Sequence, residues 1–127
     1  MVSKNPATIH KPLDSYSHQI GVNGGAKWLV MSGQVGMDNN GNVPDDAMDQ
    51  FEIALDNIFL NLEAAGMNKN NLVKLVFYFV GQHDAIQRRD IVRRKLGGHQ
   101  PCMTLIYVAG LARDAYKVEI DAWAASD

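Results

Sequence analysis

The chain has 127 residues, of which 46% are hydrophobic and 20% are charged, and its formal net charge is -2 at pH 7. This length and composition predict one globular domain with one hydrophobic core. A slightly acidic chain without a basic stripe is not expected to bind nucleic acid. No apolar run approaches the roughly 20 residues of a membrane-spanning helix, so no membrane contact is expected. The first residues, MVSKNPATIHKP, lack the apolar core of a signal peptide, and a cytoplasmic location is therefore expected.

Cysteine and histidine usage argues against a disulfide framework and against a metal site. Cys102 is the single cysteine of the chain. The four histidines show neither helical ligand spacing nor a supporting carboxylate pattern; they are His10, His18, His83 and His99. No metal is expected.

In chain order, the first half predicts a turn-rich segment to about residue 18, a short strand, a turn and a helix. Residues 1–15 are expected to be partly irregular, and residues 27–32 read as the strand. The turn is Asp38-Asn39-Asn40-Gly41-Asn42, because Asn and Gly tolerate positive φ angles. The helix opens at Pro44-Asp45-Asp46 and ends at Gly66. Its apolar stripe consists of Phe51, Ala54, Leu55, Ile58, Leu62 and Ala65.

The second half predicts a strand, a helix and a pair of strands. The continuous apolar run 72–80 is typical of a buried central strand. A second helix is predicted from about Asp84 to Leu96, with Ile86, Ile91 and Val92 as its apolar set. One strand follows Pro101, and a last strand is predicted over 116–124. In that strand Tyr116, Val118, Ile120, Ala122 and Ala124 share one face, and Lys117, Glu119, Asp121 and Trp123 share the other.

This order of elements predicts a single α+β domain over residues 1–127, in which two helices cover one face of a mixed sheet. The other face of such a sheet is left partly bare. Trp123 and Tyr107 are expected on the bare face, which therefore predicts an oligomer interface.

Five short motifs occur together in an order that resembles a known family. They are Ser32-Gly33-Gln34, Leu62-Glu63-Ala64-Ala65-Gly66, the strand 74–79, Gly98-His99-Gln100-Pro101 and Val118-Glu119-Ile120-Asp121-Ala122. From about Tyr16 to Ala124 the chain resembles the Rid family, also called the YjgF/YER057c/UK114 family. The resemblance implies a chorismate-mutase-like fold, a homotrimer, and a small-molecule cleft at each subunit interface. It also implies enamine or imine deamination without metal or organic cofactor.

One position departs from the deaminating members of that family. Their loop after the second helix reads Pro-Ala-Arg-Ser or Pro-Ala-Arg-Thr, and the arginine binds the substrate carboxylate. Here the same positions read Pro101-Cys102-Met103-Thr104. Loss of a charge-assisted bidentate contact costs about 2 to 4 kcal/mol of ligand binding. The sequence therefore predicts a substrate other than small 2-imino acids.

Glu119 is the predicted catalytic residue. It matches the family's glutamate that positions or activates water, and a carboxylate acts as a general base when burial raises its pKa. The alternative is that Glu119 is only a polar residue of an interface strand.

The predicted substrate-binding residues are Tyr16, Ser32, Gly33, Arg89, Cys102 and Met103. Tyr16 would stack on a planar ligand, and Gly33 has the alternative role of permitting close backbone approach. Arg89 stands where relatives carry an asparagine directed into the cleft, and it would restore an anion contact there, unless it belongs to a solvated basic face. Cys102 adjoins Met103, but strand alternation would turn its side chain to the opposite face.

Two functions remain open from the sequence. The first is a cofactor-independent deaminase or hydrolase acting on C=N bonds, with Glu119 orienting water. The second is a non-catalytic trimeric protein that binds a metabolite or has a regulatory role, in which Met103 marks the loss of chemistry.

Overall fold

The computed structural model describes residues 1–127. The chain forms seven strands and two α-helices: β1 (Val2–Lys4), β2 (Gln19–Gly21), β3 (Lys27–Val30), β4 (Gln34–Val35), α1 (Ala47–Ala64), β5 (Leu72–Phe79), α2 (Ala85–Leu96), β6 (Cys102–Tyr107) and β7 (Val118–Ser126). A turn of 3-10 helix at Lys69–Asn71 precedes β5. No helix combines the length and the apolar character that crossing a membrane requires.

The main sheet has the strand order β3-β7-β5-β6, and β4 also pairs with β7. β5 and β6 are parallel, whereas β7 runs antiparallel to β3, β4 and β5. Both helices pack on one face of this sheet, and the core of the protein lies between the two layers. The predicted α+β fold with a mixed sheet and a central β5 is confirmed.

The first helix forms where the sequence predicts it. The Asp46 carboxylate caps α1 by accepting a hydrogen bond from the Asp49 amide at 3.0 Å. Gly66 ends the helix with a φ of +72°. The predicted stripe is buried from Phe51 to Leu62, and Met48 joins it. The turn before α1 is also confirmed, since the Asp38 carboxylate accepts bonds from two later amides and Gly41 has a φ of +83°.

The second helix has a different buried face from the one predicted. The Asp84 carboxylate accepts hydrogen bonds from the amides of Ile86 and Gln87, which fixes the start of α2 at Ala85. From that start, the helical period turns Ile91, Val92 and Leu96 toward the sheet and leaves Ile86 79% exposed. The expectation that Ile86 belongs to the apolar set is therefore wrong.

Two aromatic residues near the last strands also differ from expectation. Tyr107 pairs in register with the fully buried Phe79, so it lies on the helix side of β6 and not on the bare face. β7 begins at Val118, because Tyr116 belongs to the preceding turn, where its amide bonds to the Arg113 carbonyl. From Val118 to Ala124 the predicted alternation holds, with Glu119, Asp121 and Trp123 half-buried on the open face.

The N-terminal segment contains a strand that turn-rich composition did not predict. β1 pairs antiparallel with β2 in a separate two-stranded sheet. The amide and hydroxyl of Ser17 then bond to the carbonyls of Pro101 and Gln100, at 3.2 and 2.6 Å. These bonds hold the N-terminal segment against the loop before β6.

Candidate functional site

Glu119 and Gly33 come together on the open face of the sheet. Gly33 lies in the bend between β3 and β4, and a Cβ built on it would stand 2.7 Å from the Cδ of Glu119. The glutamate side chain therefore lies directly over the glycine. The adjacent Ser32 is exposed, and its carbonyl accepts a hydrogen bond from the Gln34 side chain. The predicted residues Ser32, Gly33 and Glu119 thus form one group.

The electrostatics around Glu119 favour its protonated form. Burial raises the pKa of its carboxyl, and the charge of Asp121 two residues along the strand raises it further. Asp121 itself accepts a hydrogen bond from the Tyr78 hydroxyl at 2.8 Å. No hydrogen bond from the protein contributes to the pKa of Glu119, which leaves its carboxylate oxygens available to a water or a ligand.

A second group of predicted residues surrounds a cavity of about 120 Å³ on the other side of the sheet. Tyr16 and Met103 line it together with apolar residues of β5, β6 and α2. The Tyr16 hydroxyl accepts a hydrogen bond from the Leu13 amide at 3.1 Å. The Ser17 bonds described above hold Tyr16 beside the start of β6, where Met103 lies.

Arg89 and Cys102 do not line this cavity. Arg89 is 45% exposed, and its Nε donates to the Asp14 carboxylate at 3.0 Å. Cys102 pairs in register with Lys74 and so faces the open side of the sheet, opposite to Met103. Burial raises the pKa of the Cys102 thiol, and a thiol held in the neutral form is a poor nucleophile.

Within one chain, Glu119 and Met103 lie on opposite faces of the sheet. Neighbouring register pairs show this directly: Met103 is opposite Leu75 on the helix side, and Glu119 is opposite Tyr78 on the open side. The two groups of site residues therefore cannot contact one small ligand within the same chain.

Arg88 and Asp14 are cavity residues that the sequence analysis missed. The Arg88 side chain is only 12% exposed and reaches the cavity beside Met103. The signal was present in the sequence, since Arg88 precedes the buried Val92 by one helical turn. For Asp14 the sequence offers no such spacing, because its position depends on how the N-terminal segment packs.

Side chains that could hold a metal ion do not cluster in this chain. No group of three or more histidine, cysteine, aspartate or glutamate residues has the required arrangement.

Comparison with known proteins shows which family the chain belongs to. A family model described as endoribonuclease L-PSP matches residues 7–126. The 2-iminobutanoate/2-iminopropanoate deaminase of Mus musculus is 32% identical over 122 residues, which are 94% of this chain and 84% of the mouse protein. The chain belongs to the Rid family.

Crystal structures of Rid proteins share this fold. The Rid-family protein YyfB of Yersinia pestis, described as of unknown function, superposes with a TM-score of 0.86 at 27% identity, covering 97% of this chain and 96% of the other. TdcF of E. coli with bound serine superposes with a TM-score of 0.73 at 25% identity, covering 91% of each chain.

Proposed function

We propose that this Rid-family protein is a cofactor-independent hydrolase of C=N bonds, acting as an enamine or imine deaminase at a cleft between the subunits of a homotrimer. The observation that carries the proposal is Glu119. Its carboxylate packs over Gly33, has a raised pKa, and has no protein hydrogen-bond donor. A general base needs these properties in order to contact and deprotonate a water molecule.

The reaction uses one water and releases ammonia. Glu119 accepts a proton from water while the water oxygen attacks the imine carbon, and it passes that proton to the imine nitrogen, which gives a neutral carbinolamine. The carboxylate then moves the hydroxyl proton of the carbinolamine to the nitrogen, the C–N bond breaks as the C=O bond forms, and a carbonyl compound and ammonia leave. An enamine enters the same sequence after a proton moves from nitrogen to carbon. The reaction class is supported by the mouse relative, which is named as an imine deaminase.

A cleft between subunits accounts for the separation of the two groups of site residues. Glu119 on the open face of one subunit would meet the Tyr16 and Met103 cavity at the β6 edge of another. Exposed apolar side chains on and beside the open face, Val30, Trp28 and Ile106, would be buried by such an assembly. The bound serine in E. coli TdcF supports a small polar ligand.

The Met103 side chain limits which substrates the cleft can bind. A thioether at the position of the family's arginine carries no charge and offers no fork of donors. We therefore propose a substrate other than small 2-imino acids, with Tyr16, Ser32 and Gly33 among the residues that contact it.

Met103 also supports a second candidate function, that of a non-catalytic trimeric protein that binds a metabolite or has a regulatory role. A cleft that lacks the family's arginine at position 103 could retain binding of another ligand without turnover. The two functions differ in what the Glu119 carboxylate does, and a single substitution separates them.

The test measures hydrolysis of a panel of freshly generated imines by loss of semicarbazide trapping. The panel contains 2-iminopropanoate, 2-iminobutanoate and imines of larger and of neutral carbonyl compounds. We expect acceleration of some larger member and little acceleration of the first two. Glu119→Gln should lower the rate by about 10² to 10⁴-fold, and Glu63→Gln, a matched change on the exposed end of α1, should not change it.

Two results would decide against the enzyme. One is no acceleration of any imine by a protein that size-exclusion chromatography with light scattering shows to be trimeric. The other is a Glu119→Gln variant as active as the wild type. Either result would favour the binding function.

A further inference from the structure

Arg88 is a largely enclosed cation whose hydrogen-bonding capacity the protein leaves mostly unused. Its side chain is 12% exposed and contributes to the wall of the 120 Å³ cavity beside Met103 and Leu105. A guanidinium has five N–H donors, but its one hydrogen bond to the protein is from Nη1 to the Nε2 of His83, at 2.6 Å. The remaining donors are available to a group in the cavity.

The charge next to Arg88 is only partly balanced. Asp14 also lines the cavity, but its carboxylate lies 3.0 Å from the Nε of Arg89 and 4.0 Å from the Nη2 of Arg88. Arg89 is therefore the hydrogen-bonded partner of Asp14. These three side chains, two guanidiniums and one carboxylate, together carry one net positive charge.

His83 holds the guanidinium in place. Its ring stacks on the buried Phe79 with centroids 3.9 Å apart. Burial, followed by the nearby charge of Arg88, lowers the pKa of His83. This shift favours the neutral ring, whose Nε2 can accept the hydrogen bond that Arg88 donates. An anion contact gains from such pre-organisation, because the side chain loses less conformational entropy on binding.

We propose that Arg88 binds the carboxylate of the ligand in this cavity, while Met103 and Leu105 contact the adjoining carbons. The ligand is then a monocarboxylic acid larger than the small 2-imino acids, and its carboxylate is recognised from α2 and not from the start of β6. One net positive charge suits a singly charged anion better than a phosphate dianion, which the Asp14 carboxylate would repel. The enclosed space admits a head group and a few carbons, so the rest of the ligand extends to the opening.

Binding of an acid by Arg88 does not depend on the proposed deaminase function. Only the claim that the bound acid reacts rests on that function. Butyrate therefore serves as a probe, because it has the carboxylate and the apolar carbons but no C=N bond. Binding of butyrate with no hydrolysis of any imine would keep Arg88 as the anchor and reject the deaminase. Hydrolysis with no butyrate binding would do the reverse.

The experiment titrates the protein, labelled with ¹³C at its methionine methyl groups, with sodium butyrate and with butyramide at constant ionic strength. The Met103 methyl signal is assigned by its loss in Met103→Leu. We expect a saturable shift of that signal with butyrate, and binding of the uncharged butyramide about tenfold weaker or more. Inorganic phosphate should bind less tightly than butyrate.

Three arginine variants make the result specific. Arg88→Gln should weaken butyrate binding by about tenfold or more, and Arg88→Lys, which keeps the charge without the planar fork, should weaken it by less. Arg94→Gln is the matched control on an exposed part of the same helix and should leave binding unchanged. Arg88→Lys keeps the test available if thermal melting shows that Arg88→Gln does not fold.

Several outcomes would overturn the inference. They are equal binding of butyrate and butyramide, no saturable shift of the Met103 methyl, tighter binding of phosphate, and unchanged butyrate binding in both Arg88 variants. Loss of butyrate binding in Arg89→Gln with retention in Arg88→Gln would also overturn it, and would assign the contact to Arg89.

Discussion

The side chain of Glu119 lies so close over the α-carbon of Gly33 that no other residue type fits below it without displacing the carboxylate. A Cβ on Gly33 would stand 2.7 Å from the Glu119 Cδ and 3.0 Å from its Cγ. The backbone of Gly33 does not have a positive φ. The glycine is therefore required for space and not for an unusual backbone conformation.

Gly33→Ala is expected to move Glu119 without unfolding the protein. The carboxylate is the end of a flexible side chain, so it can rotate away at a cost of less than about 1 kcal/mol. Any hydrolysis that depends on Glu119 should fall, while the melting temperature changes little. The contrasting variant is Gly36→Ala, whose Cβ would stand 2.5 Å from the Gln50 Cβ and collide with the backbone of α1. It should lower the free energy of unfolding by about 1 to 3 kcal/mol or more. Similar stability of both variants in urea unfolding would contradict this account.

The stability of Glu119→Gln relative to the wild type is expected to increase as the pH rises from acidic to neutral. The folded state raises the pKa of Glu119 above its unfolded value of about 4.3. The folded protein therefore binds more protons than the unfolded chain between these two pKa values, and wild-type stability falls as pH rises through that window. Because glutamine does not titrate, the Glu119→Gln variant does not lose stability at this position as the pH rises. Melting curves from pH 4 to pH 8 should show this stability difference growing with pH. A difference that shrinks with pH would be inconsistent with a half-buried carboxylate that has no hydrogen-bond donor.

Met103→Arg is expected not to restore activity on small 2-imino acids by itself. The new guanidinium would share a 120 Å³ cavity with Arg88, and two like charges at short range repel. We expect a loss of about 1 to 3 kcal/mol of unfolding free energy. Arg88→Gln in the same chain should recover part of it, so the double-mutant cycle should show coupling. Leu60→Arg, at an exposed site on α1, is the control for adding a charge. If the changes in unfolding free energy caused by Met103→Arg and Arg88→Gln are additive, the new arginine side chain lies outside the cavity.

Gln50 is expected to be the most sensitive polar residue of the core. It is fully buried, and its Nε2 donates to the carbonyls of Pro44 and Ala115 at 2.7 and 2.9 Å, while its Oε1 accepts from the Lys117 amide at 2.9 Å. Gln50→Leu leaves all three backbone groups without this partner and should cost about 2 to 4 kcal/mol. Gln87→Leu, at an exposed site on α2, should stay within about 0.5 kcal/mol. Urea unfolding measures both, and equal stability of the two variants would mean that water replaces the lost bonds.

The sequence by itself determined the elements that depend on local pattern. The α1 stripe, the buried run of β5, the alternation of β7 and the Asp38 turn each follow from periodicity or from residues that favour turns. The order of five short motifs also indicated the family, which the family model confirms. These features can be predicted because each depends on residues close together in the chain.

Tertiary structure decided which side chains meet. Ile86 fits an apolar stripe only until the Asp84 cap fixes where α2 begins, and Tyr107 is placed on the helix side by its parallel register with Phe79. The strand β1 exists only because residues 19–21 supply its partner. Gly33 under Glu119, and Arg88 beside Met103, join residues that are far apart in the sequence. Such contacts depend on strand register, helix phase and chain packing together, and no local pattern contains that information.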